Sequence, residues 1–172
     1  MNAAALSFVL VLAGLSLAGC ARPGMSPPQG WRAPNAMEAA DHWRSANVGR
    51  YLEARGSFTG AGRNEVARIL ISDDGSTFGV FVFSAADSGR NQIVTLFESK
   101  DANLVHSMGI ETVGPGNYVT ACGKGYWDCG KDESEHVVLA HDAIRLFKRE
   151  GHSSLLYKDL NSEAFKRIWV SD

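Results

Sequence analysis

Glu65-Val66-Ala67-Arg68-Ile69-Leu70-Ile71-Ser72, then Asp73-Asp74-Gly75-Ser76, then Thr77-Phe78-Gly79-Val80-Phe81-Val82-Phe83-Ser84 is the stretch on which the fold class turns. Two runs rich in β-branched and aromatic side chains flank four turn-forming residues, the pattern of a β-hairpin. Outward from it, strand-like runs continue at 50–58 and at 91–98, the latter after a turn at Asp87-Ser88-Gly89. Further short strands are expected near 105–110, 118–121, 136–139, 143–148, 154–157 and 165–170. Turn signals recur about every ten residues, and no strand alternates with a long helix. The expected fold is mainly β, an antiparallel sandwich or small barrel with one short N-terminal helix. That helix is placed from Ala36 to about Ser45, because Asn35 followed by Glu38 has the form of a capping box. It is expected to turn Met37, Ala40 and Trp43 toward the domain.

The 172 residues suit one domain with a tail. Seventeen Lys and Arg against nineteen Asp and Glu leave a net charge of −2, which argues against a nucleic-acid binder. A 45% hydrophobic and 21% charged composition excludes wholesale disorder. Gly60-Ala61-Gly62 lies between strands without the third glycine of a dinucleotide fingerprint, and Gly123-Lys124-Gly125 lacks the phosphate-loop pattern. No nucleotide and no other cofactor is expected.

The N-terminus has its own grammar. No charged side chain occurs between Met1 and Gly19, and the apolar run from Phe8 to Ala18 is too short to span a bilayer convincingly. It ends in Leu17-Ala18-Gly19-Cys20, which resembles the lipobox of bacterial lipoproteins. The resemblance implies a signal peptide over 1–19, cleavage before Cys20 and lipid on the Cys20 sulfur. Burial of each acyl CH₂ is worth about 0.8 kcal/mol, so more than one chain gives stable membrane anchoring. Ala21 stands where an Asp would resemble an inner-membrane retention signal, so the expected address is the outer membrane, facing the periplasm. Residues 20–35, with Pro23, Pro27, Pro28 and Pro34, are expected as a lipidated tether before a single β-rich domain over 36–172.

With Cys20 assigned to lipid, Cys122 and Cys129 remain in an oxidising compartment. A zinc site would need two more ligands at suitable spacing, so no metal is expected and a local disulfide is. Closing so short a loop is worth about 2.5 kcal/mol on chain entropy. The loop contains Lys124, Tyr126 and Trp127, the candidate partner-binding residues. A stapled loop that presents an aromatic pair and a cation has little ordering entropy left to lose. The competing reading packs Trp127 on the disulfide or into the core. Trp43 and Trp169 are expected in the core.

Gly56-Ser57-Phe58-Thr59-Gly60-Ala61-Gly62, followed by Glu65 and a strand, resembles a degenerate FG-GAP-type repeat. The resemblance implies a β-hairpin. Ser57, Thr59 and Ala61 replace the oxygen-rich positions, so calcium is not carried over. No Gly-x-Ser-x-Gly elbow occurs, and neighbours such as His141-Asp142 and His152-Ser153 point to opposite faces of a strand. No catalytic residue is assigned. The functional expectation is therefore a lipid-anchored, periplasm-facing, non-catalytic protein-binding module, one form of which is an inhibitor or immunity-type protein against an envelope-directed enzyme. A structural accessory of envelope assembly and a cell-wall hydrolase are the alternatives.

Overall fold

A computed structural model describes residues 25–44, 46–85, 91–162 and 164–171. The signal segment 1–19, Cys20 and the turn expected at 87–89 lie outside the described residues. The fold is mainly β and antiparallel, two sheets packed as a sandwich without closing into a barrel. In chain order the strands are β1 (Trp31–Arg32), β2 (Glu53–Gly56), β3 (Glu65–Ser72), β4 (Phe78–Ala85), β5 (Asn91–Ser99), β6 (Met108–Val113), β7 (Gly116–Val119), β8 (His136–Leu139), β9 (Ala143–Lys148), β10 (Ser153–Lys158) and β11 (Phe165–Ser171). The first sheet runs β1-β3-β4-β5, with β2 also paired to β3. The second runs β11-β10-β9-β6, and β7 and β8 form a separate ribbon.

The deciding hairpin forms as expected. Ser72 N–H donates to the Thr77 carbonyl at 2.9 Å, and Gly75 takes a φ of +72° that an L side chain resists. Hydrogen bonds from the Ser72 hydroxyl, the Ser76 amide and the Ser76 hydroxyl hold the Asp74 carboxyl down at about 2. β4 is buried along both faces, which explains why its sequence is apolar without alternation. Phe78, Val80 and Val82 face the core between the sheets, with Ile69, Ile71, Ile110, Ile144, Leu146 and Leu156. Phe81 and Phe83 face the other way, with Leu70, under Met25 and Trp31.

That second cluster shortens the expected tether. From Met25 onward the chain lies on the sheet: Trp31 meets Phe81 edge-on at 4.7 Å, and Arg68 donates to the Met25 carbonyl at 2.8 Å. The capping box on Asn35 forms, but the helix α1 covers only Ala36–Ala39. A 3₁₀ segment, His42–Arg44, follows. The helix stops because the Arg44 guanidinium takes the Ala39 carbonyl at 3.1 Å. Ala39 is the residue that packs inward, whereas Met37 is 85% exposed.

Arg44 is 1% exposed and plugs the joint between the sheets. Besides Ala39 it donates to the carbonyls of Arg50, Val105, His106 and Met108. Burial lowers its pKa to about 10, which leaves it a cation at neutral pH. The same plug explains a second difference. Residues 102–107, part of which was expected as strand, form a 3₁₀ segment whose last carbonyls turn to Arg44, and β6 begins only at Met108. At this side the sheets meet: Ile110 N–H donates to the Tyr51 carbonyl at 2.8 Å, and the Thr112 hydroxyl donates to the Arg55 carbonyl at 2.7 Å.

The hairpin implied by the glycine-rich stretch is β2–β3, with Gly56 paired to Glu65. Buried Glu65 accepts from the Thr59 amide and hydroxyl, so its carboxylate closes the connecting loop from within.

Candidate functional site

On the opposite side β5 and β11 are the outer strands, and no described strand pairs with their outer edges. The loop between β7 and β8 covers one end of that side. Its two cysteines lie at disulfide distance, S–S 2.07 Å and Cα–Cα 5.0 Å. The buried Thr120 hydroxyl donates to the Ser134 carbonyl at 2.6 Å and accepts from Gly123 N–H at 3.1 Å, binding the two limbs together. Gly123 has no room for a side chain, since a Cβ there would stand 2.2 Å from the Glu135 carbonyl oxygen. Lys124 reaches back to the Val170 carbonyl at 2.6 Å, and Ala121 N–H donates to the Trp169 carbonyl at 2.8 Å. The loop is thus fastened to β11 as well as to itself.

On this frame Tyr126 is 53% and Trp127 36% exposed. Trp127 Nε1 donates to Glu133 at 3.1 Å, and the same carboxylate oxygen accepts from Gly130 N–H at 3.0 Å. The indole is therefore oriented while its ring stays accessible. Trp127, His152, Trp169 and Ser171 line a recess of about 280 Å³. The His152 ring meets Trp169 edge-on at 5.0 Å. The Arg167 guanidinium lies 4.1 Å from the Trp169 ring and 4.8 Å from Phe97 across the open side, and donates to the Ser154 hydroxyl at 2.9 Å. Beside it a groove of about 360 Å³ runs between the acidic limb, at Asp132 and Glu133, and β11 from Lys166 to Trp169. Lys166 pairs with Asp159 at 2.7 Å, and this bond, with the Ser162 hydroxyl, holds the Asp159 carboxyl down at about 2.

The structure thus brings together Cys122, Cys129, Lys124, Tyr126 and Trp127. Lys124 serves as a brace, with its ammonium on the Val170 carbonyl. Trp127 lies at the surface, outside the core. The expectation that Trp43 and Trp169 are core is corrected. Both are half-buried: Trp43 stacks on Tyr51 at 5.4 Å beside Arg44, and Trp169 belongs to the open side. Sequence reasoning missed Arg167, His152 and Trp169 as neighbours of the loop. The one available signal was Arg167 two residues before Trp169, which puts both on one face of a strand.

Several of the residues weighed for catalysis have structural partners. Asp142 accepts from Ser57 N–H at 2.7 Å, the Ser153 and Ser171 hydroxyls lie 2.8 Å apart, and Ser154 accepts from Arg167. Among the described residues no three His, Cys, Asp or Glu side chains gather as metal ligands, and no helix is long and apolar enough to cross a membrane. No family model, curated protein or solved structure matches the chain.

Proposed function

We propose that this protein is a lipid-anchored, periplasm-facing binding module without catalysis of its own, whose contact surface is the stapled loop at Tyr126 and Trp127. The observation that carries the reading is the exposure of two large aromatics on a loop fastened by a disulfide, by Thr120 and by Lys124. Aromatic anchors dominate binding where little ordering remains to be done, because each side chain immobilised on binding costs about 0.5–1.5 kcal/mol. The lipobox-like Leu17-Ala18-Gly19-Cys20 supports the membrane address. An inhibitor or immunity role toward an envelope-directed enzyme fits a small, anchored, aromatic-tipped domain, and that step rests on location and size.

The test is capture from periplasm and culture supernatant by the full chain in mild detergent, beside Trp127→Ala. Enrichment of one enzyme by the parent, lost in the variant, is the expected result. Equal capture of membrane-assembly components by both proteins overturns the reading in favour of a structural accessory. Turnover abolished by one Asp, Glu or His substitution, with the fold retained, overturns it in favour of a hydrolase. Lipid attachment is tested separately: radiolabelled palmitate is incorporated by the parent and lost in Cys20→Ala.

A further inference from the structure

The backbone of β11 has a direction that the loop leaves half used. Asp159 N–H donates to the Ala164 carbonyl at 2.8 Å, so this pair lies on a hydrogen-bonding rung, and the regular register beyond it runs from Lys158–Phe165 to Ser154–Trp169. Antiparallel rungs alternate, which puts the hydrogen-bonded rungs at Tyr157–Lys166 and Leu155–Ile168. The backbone groups of Phe165, Arg167 and Trp169 therefore point away from β10. The bond from Ala121 to the Trp169 carbonyl confirms that direction independently. Ala121 supplies the first rung of a ladder on this outer edge, and no described strand continues it at Arg167.

The ladder stops where the groove begins. Tyr157 of β10 and Lys166 to Trp169 of β11 line it from the sheet, and the chain from Asp132 to Val137 lines it from the loop. Of the groove's charged side chains, Lys166 is paired with Asp159, Arg167 stacks on Trp169 and Glu133 accepts from Trp127 and Gly130, which leaves the Asp132 carboxylate without a partner among the described residues.

We infer that the partner enters this groove as an extended segment that adds a strand to β11, pairing with the Arg167 backbone and carrying a Lys or Arg side chain toward Asp132. Main-chain hydrogen bonds supply affinity in such strand addition, and alternate side chains supply selectivity. The inference rests on the binding-module reading and names the form of the partner's contact.

The experiment uses the ¹⁵N-labelled full chain in detergent micelles and a synthetic acetyl-Thr-Lys-Val-Thr-Val-Lys-Thr-amide peptide. Two control peptides carry Glu for Lys or alternate N-methyl amides. The parent peptide is expected to slow amide exchange at Arg167 by about tenfold or more, leaving Ile168, already paired to β10, unchanged. Both control peptides are expected to bind about tenfold more weakly, and Asp132→Lys is expected to reverse the Lys-over-Glu preference. No peptide binding at millimolar concentration, or binding that leaves the Arg167 amide unchanged, overturns strand addition. Binding that N-methylation does not weaken also overturns it. None of these results touches the capture experiment with Trp127→Ala, so strand addition and the binding module fail separately.

Discussion

The two sides of the sandwich use the same residue types in opposite ways. At the closed side, Arg44 beside Trp43 is buried, and its guanidinium is spent on five backbone carbonyls where β2 meets β6. At the open side, Arg167 beside Trp169 spans the gap to Phe97 and leaves the backbone edge of β11 facing a groove. An arginine stacked on tryptophan is thus a seal in one place and a pillar at a surface in the other. What separates them is the supply of carbonyls: two 3₁₀ segments end at Arg44, whereas a disulfide-stapled loop ends beside Arg167.

Breaking the seal has the largest expected effect. Arg44→Met strands five carbonyls in the joint and is expected to cost roughly 3 kcal/mol, lowering the thermal midpoint by about 10 °C. A midpoint within a degree of the parent would mean that the closed side is held by the aromatic stack alone. Replacing Cys122 and Cys129 together by Ser is expected to cost at most about 2.5 kcal/mol in denaturant unfolding. Amide exchange is expected to rise in the loop and along β11, and not at the Arg44 joint. Gly123→Ala drives a methyl into the Glu135 backbone and is expected to cost about 1–3 kcal/mol, with the same local pattern of exchange.

Acid sharpens the comparison with a smaller effect. Glu38, hydrogen-bonded by Arg32 and by Asn35 N–H, is held at about 2, as is Asp159 by Lys166. Both folded values lie below the ordinary ones of 4.5 and 3.8. Their stabilisation is complete above the ordinary values and is lost as pH falls toward 2. Glu38→Gln is expected to flatten that window for the N-terminal segment, and Asp159→Asn for the β10–β11 turn, both read from melting temperature against pH. Trp127→Ala is expected to change stability least, within about 0.5 kcal/mol, while removing partner capture. A large loss of stability there would return Trp127 to a packing role.

The strands were legible because side-chain alternation and turn residues are local. Residues 136–139 and 143–148 form strands over the expected ranges, and the hairpin at 65–84 needed only its own sequence. The stapled loop was legible too, since two cysteines that close can pair only by turning the chain between them. The helix end and the start of β6 were not legible, because both are set by Arg44 reaching carbonyls far away in sequence. Trp169 was placed in the core because Ile168-Trp169-Val170 is apolar, but a strand at the sheet's edge buries one face and leaves the other half open.

By itself, the sequence determined an antiparallel β fold, its turns and the loop between Cys122 and Cys129, for these follow from residue type and spacing over a few positions. Only the tertiary structure decided that Arg44 would be buried, that Met25 to Arg32 would lie on the first sheet, and that β11 would stand beside the loop with its edge open. Those outcomes depend on which strand ends next to which. Strand order is set by packing and carbonyl supply across the whole chain, and no local run of residues contains it.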